Sequence, residues 1–133
     1  MAEYFTLAEA EALLPRIEPL LRDVQAARQA FAEAQERYSA YQTKLTGNGH
    51  LPQDEVAQAR EAMAGAAQRA DALVSEIQAL GVVVKDLEMG LVDFPALRHG
   101  HEVYLCWRLG EEGIGWWHPI ETGFAGRQPI ETF

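Results

Sequence analysis

The chain has one cysteine, two serines, no cluster of basic residues and no long apolar run, and each shortage closes off a class of function. A lone Cys106 excludes an intramolecular disulfide framework. Set in an apolar, strand-like run, it reads as a small buried side chain rather than a catalytic thiol. Ser39 and Ser75 fall on helical segments and nothing resembles a nucleophile elbow, so serine-based catalysis is not expected. Gly123 to Gly126 is too short to cradle a phosphate and no helix follows it. No stretch approaches the ~20 apolar residues that span a bilayer. The N-terminus lacks the basic and apolar regions of a secretory leader, so a cytoplasmic protein with no membrane association is expected. Residues 1–80 carry 7 Lys and Arg against 12 Asp and Glu, and residues 81–133 carry 4 against 8. Acidity on both sides of residue 80 argues against binding to phosphate backbones, so no nucleic-acid partner is expected.

What the chain does have is a pair of matched heptad stripes. Apolar residues recur at Ala10, Leu13, Ile17, Leu20, Val24, Ala27, Phe31, Ala34, Tyr38, Tyr41 and Leu45, then at Val56, Ala59, Met63, Ala66, Ala70, Leu73, Ile77 and Leu80. The alternating three-and-four spacing is that of a coiled-coil seam. Folding the chain back at residues 46–51 pairs the stripes at a constant number sum of 97, from Tyr41 with Val56 to Ile17 with Leu80. Thr6 and Glu9 form a capping box that starts the first helix near Leu7. Pro15 and Pro19 lie off the seam, and a kink or short break near Leu13 and Leu14 is expected there. The second helix should begin near Pro52 and stop at Gly81. Leu14, Leu21, Ala67 and Val74 add a second apolar row toward the open end, where something else should pack.

Beyond Gly81 the composition changes: all three tryptophans and eight of the 11 glycines lie in residues 81–133. Residues 82–88 read as a strand, 90–95 as a second short strand or extended turn, and 102–109 as the clearest strand. The last is joined to residues 114–118 through a glycine-bounded hairpin loop, with Leu109 opposite Ile114 and Trp107 opposite Trp116. That register puts His118 opposite Leu105, on the face of Trp107 and Trp116. The fold class is therefore α+β: a long antiparallel two-helix coiled-coil hairpin over 1–81, then a small antiparallel β-meander over 82–133 packed on its open end.

Candidate chemistry concentrates in the meander. Asp86 and Glu88, two apart on one strand, would share a face, and Asp93 sits among apolar residues. His118 and Glu121 flank a proline turn. A histidine with carboxylates is a first shell for Mn, Fe or Zn, and His118, Glu121, Glu88 and Asp93 are the ligands this pattern selects. His99 and His101 read as a surface turn, the tryptophans as core, and Asp93 with Arg127 as an ion pair stapling the C-terminal extension. Tyr38 and Tyr41 offer a contact surface on the hairpin. Two functions follow: a homo-oligomeric interaction or scaffold module with a protein partner at the coiled-coil arm, or a divalent-metal-binding protein or metal-dependent hydrolase.

The segments Gly90-Leu-Val-Asp-Phe-Pro-Ala96, Glu102-Val-Tyr-Leu-Cys-Trp-Arg-Leu-Gly-Glu111, Trp117-His118 and Glu121-Thr-Gly-Phe-Ala-Gly-Arg-Gln-Pro-Ile130 resemble a family of small bacterial proteins, the domain-of-unknown-function family 2203. Phe5-Thr-Leu-Ala-Glu-Ala10 and Leu13-Leu-Pro-Arg-Ile-Glu-Pro19 resemble that family's opening. The resemblance implies a bacterial cytosolic protein of this architecture; it supplies no activity and assigns no residue.

Overall fold

The computed structural model describes residues 3–45 and 53–133, so the expected turn at 46–51 and the expected helix start at Pro52 lie outside the described residues. The chain forms two compact units, one of residues 1–22 with 74–133 and one of residues 23–73.

Two helices, α1 (Leu7–Leu45) and α2 (Gln53–Ala79), supply the helical half. The capping box forms as its residues dictate: Thr6 N–H donates to Glu9 Oε1 at 2.9 Å, and Glu9 N–H donates to Thr6 Oγ1 at 3.1 Å. Of the kink or short break expected, no break occurs: α1 runs helical through Leu13, Leu14 and both prolines. Pro15 and Pro19 are exposed, so the carbonyls they leave without a donor can turn to water. Gly81, at φ 91°, caps the last turn of α2, where its N–H donates to Gln78 O at 2.9 Å.

In the unit of residues 23–73 the seam is as expected. Val24, Ala27, Ala34, Ala59 and Leu73 are buried, and Phe31, Tyr38, Tyr41, Val56, Met63, Ala66 and Ala70 are half-buried. The antiparallel register shows in the polar contacts beside it. Tyr41 Oη donates to Glu55 Oε2 at 2.9 Å, the Arg60 guanidinium lies 5.7 Å from the Tyr38 ring centroid, and Arg69 reaches Asp23 at 4.0 Å. Ala67, expected in the second apolar row, is exposed, whereas Leu14 and Leu21 are buried and Val74 half-buried.

The other unit carries a five-stranded antiparallel meander in sequence order. Its strands are β1 (Val83–Asp86), β2 (Leu91–Arg98), β3 (His101–Arg108), β4 (Trp116–Pro119) and β5 (Gln128–Pro129). One face carries Val92, Phe94, Ala96, Val103, Leu105, Trp107 and Trp117, all buried. Phe5 meets this face edge-on at Phe94, with centroids 5.5 Å apart, and buried Ala10, Leu14, Ile17, Leu21 and Ile77 complete the core of this unit. Pro95 sits inside β2, which extends well beyond the short strand expected. It is tolerated because β1 pairs only as far as Asp93, so its missing N–H breaks no ladder, while its carbonyl accepts from Phe5 N–H at 2.7 Å.

The register between β3 and β4 differs from expectation by one residue: Cys106 faces Trp116, Leu105 faces Trp117 and Tyr104 faces His118. The cause is the connecting loop. Leu109 N–H donates to Gly90 O instead of closing on Ile114, and Glu111 ties the loop to β3 by accepting from Arg108 N–H at 2.7 Å. A one-residue slip carries every side chain to the opposite face. His118 thereby leaves the face of Trp107 and joins the face of Asp93, Tyr104 and Cys106.

Candidate functional site

That second face holds a buried polar cluster built from three adjacent strands. Asp93 on β2 stands directly opposite Cys106 on β3, and His118 on β4 is one pair along, opposite Tyr104. His118 reaches back across β3 so that Nε2 lies 3.0 Å from Asp93 Oδ2. Its other nitrogen, Nδ1, donates to the carbonyl of Pro119 at 2.8 Å. The imidazole lies beside the Tyr104 ring, centroids 5.5 Å apart, and Lys85 Nζ sits 4.8 Å from that ring's centre. Asp93 and His118 are each 2% exposed and Cys106 is fully enclosed. One donor atom from each of the three residues lies within 4.8 Å of the other two, and no other such group of three occurs among the described residues.

The electrostatics follow from enclosure. Burial raises the Asp93 pKa above the ordinary carboxyl value, and His118, then the Cys106 thiol, then Lys85 oppose it. Burial likewise pushes the Cys106 thiol up to about 12, with Asp93 the next cause. The thiol influences the carboxyl without meeting hydrogen-bond geometry at Oδ1, which is buried and has no partner. Such an orphan acceptor costs about 1–3 kcal/mol. Nucleophilic catalysis is poorly served here: both imidazole nitrogens are engaged, so neither is free to take the thiol proton.

Two of the four ligands expected from sequence, His118 and Asp93, come together; the other two do not join them. Glu121 is exposed beyond β4. Glu88 is exposed in the turn after β1, because the strand ends at Asp86, whose Oδ1 accepts from Met89 N–H at 2.9 Å. Arg127 does not pair with Asp93. Its Nη2 donates to both carboxylate oxygens of Glu111 at 2.9 Å, and its guanidinium lies against the rings of both Trp116 and Phe124. Tyr38 and Tyr41 are half-buried along their own hairpin, and His99 and His101 are exposed at the β2–β3 turn. Of the tryptophans, Trp107 and Trp117 are core and Trp116 is 36% exposed.

Sequence reading missed Cys106 as a partner of Asp93. The signal lay in His99 and Gly100, whose φ angles of 51° and 78° make a two-residue hairpin turn. Counting outward from that turn pairs Arg98 with His101 and Asp93 with Cys106.

Fold and cluster together define an α+β protein with a helical hairpin and a buried acid–thiol–imidazole site on an antiparallel meander. The chain belongs to the family of uncharacterised conserved proteins called domain of unknown function 2203, whose sequence model matches residues 3–130. No curated protein and no solved structure matches it. No helix among the described residues is long and apolar enough to cross a membrane.

Proposed function

We propose that this protein binds a divalent metal ion on Asp93, Cys106 and His118. The observation that carries the reading is the convergence of three unlike ligand types in a fully buried place, with a carboxylate oxygen left unpartnered there. Buried polar groups are almost always satisfied, so the orphan Oδ1 calls for a missing partner. His118 already has the outer support of a metal ligand, since its Nδ1–H on the Pro119 carbonyl fixes the tautomer that leaves Nε2 as the coordinating atom. An ion with ligand bonds of about 2.0–2.3 Å requires the donors to draw in from their present spread and the Asp93–His118 hydrogen bond to give way. The test is elemental analysis with native mass spectrometry on protein purified without chelator. About one divalent ion per chain, lost in His118→Ala and Asp93→Asn, is the expected result. A metal-free protein whose melting temperature is unmoved by added zinc or ferrous iron would reject it.

Self-association is a second reading, favoured by exposed apolar side chains in the unit that carries the sheet: Trp116, Ile120 and Phe124 are 36%, 39% and 38% exposed. Light scattering tests it directly, and a monomeric mass at high concentration would remove it.

A further inference from the structure

Resting on the metal reading, we infer that Cys106 is the ligand that sets the metal's identity, making this a site for a thiophilic divalent ion of the zinc or ferrous-iron class. The donor set is one imidazole nitrogen, one carboxylate oxygen and one sulfur, drawn from β4, β2 and β3 respectively. Magnesium, calcium and manganese favour sites made wholly of oxygen donors, whereas thiolate and imidazole draw zinc and iron. Manganese, which the histidine–carboxylate set read from sequence allows, is therefore disfavoured once sulfur replaces Glu88 and Glu121.

Charge balance narrows the ion further. As ligands, Asp93 and Cys106 each carry one negative charge and His118 is neutral, so a divalent ion leaves the enclosed site with no net charge. A monovalent or trivalent ion would leave an uncompensated charge among side chains at most 2% exposed, which is costly in a low-dielectric interior. Two anionic ligands and one neutral one also leave a tetrahedral ion a fourth position for a neutral ligand, the arrangement in which an ion binds and activates water.

The experiment is cobalt substitution of the full chain, followed by absorption spectroscopy. Stoichiometric binding with an intense sulfur-to-cobalt charge-transfer band in the near ultraviolet is the expected result, and this measurement needs no variant. In Cys106→Ser, checked for folding by near-ultraviolet circular dichroism, the band disappears. Zinc affinity in that variant falls by more than the roughly 100-fold that loss of an outer-shell partner costs. Cobalt bound without the charge-transfer band, or zinc affinity unchanged in folded Cys106→Ser, overturns the role of Cys106 and leaves metal binding at Asp93 and His118 standing. No binding of cobalt, zinc or iron overturns both.

Discussion

The imidazole of His118 is held at both ends, by the Pro119 carbonyl at 2.8 Å from Nδ1 and by Asp93 Oδ2 at 3.0 Å from Nε2. A carbonyl only accepts, so Nδ1 carries a hydrogen, and the hydrogen that joins Nε2 to Oδ2 belongs to one of those two atoms. Imidazolium with carboxylate and imidazole with carboxylic acid both have zero net charge, which suits a pair only 2% exposed. The proposed metal ion, held by Nε2, the Asp93 carboxylate and the Cys106 sulfur, would displace both that shared proton and the thiol proton.

The first prediction concerns the metal-free protein and pH. Burial raises the folded-state pKa of Asp93 above its ordinary 3.8. Between 3.8 and the higher folded value the folded state holds more protons than the unfolded state, so stability falls as pH rises through that window and levels off above it. Asp93→Asn, whose amide can donate to Nε2, lacks this slope. Denaturant melts of both proteins across a mildly acidic series measure the difference, and parallel pH profiles would contradict it.

Gly90 and Gly100 provide a matched pair of backbone tests. Both have positive φ, 69° and 78°. A Cβ at Gly90 would lie 2.6 Å from Leu109 Cβ, whereas at Gly100 it would meet nothing within 4 Å. Gly100→Ala should cost only the left-handed penalty of about 1–2 kcal/mol. Gly90→Ala adds a backbone shift where Leu109 N–H binds Gly90 O, for about 3 kcal/mol in all. Equal losses in chemical denaturation would show that the close approach does not matter.

The helical half was legible because burial there follows period alone: seam positions from Ala10 to Tyr41 and from Val56 to Leu80 are buried or half-buried. The site was half legible. Asp93 and His118 stand out as an acid and an imidazole among apolar residues, but their meeting depends on a register set by Leu109 bonding to Gly90 and by Glu111 folding onto β3. Those are loop contacts with no periodic signature. A hairpin closed on Ile114 sends His118 to the opposite face, and the same slip hides Cys106 as a neighbour of His118, whereas its pairing with Asp93 depends on the separate turn at His99 and Gly100. Glu88 drew attention as a strand residue only because the end of β1 at Asp86, fixed by a side-chain bond to Met89, is invisible to alternation.

Arg127 staples the C-terminal extension to the sheet. Its guanidinium lies 4.9 Å from the Trp116 ring and 4.7 Å from the Phe124 ring while binding Glu111, and its side chain is 13% exposed. Arg127→Ala should cost about 2 kcal/mol, combining loss of the pair with loss of the ring contacts. Limited proteolysis should then cut within residues 120–133 faster than in the parent protein. Arg127→Lys keeps the charge but not the flat guanidinium that lies against the Trp116 and Phe124 rings, so it should recover less than half of the loss. Full recovery by lysine would reduce the contact to simple charge pairing.

The last prediction turns on Cys106. With its pKa pushed up to about 12, roughly one thiol in 10⁵ is ionised near pH 7, and the sulfur is fully enclosed besides. In the metal-free native protein, thiol reagents should therefore modify Cys106 only through opening of the sheet. The labelling rate should track global stability, rising in Gly90→Ala and staying near the parent rate in Lys85→Ala, whose side chain touches the cluster from its exposed side at Tyr104. Bound zinc should slow labelling further, because it ties the sulfur to β2 and β4 and must leave before the thiol can react. Rapid stoichiometric labelling of the folded, metal-free chain at neutral pH would mean an open and acidic thiol, and the enclosed cluster of Asp93, Cys106 and His118 would have to be redrawn.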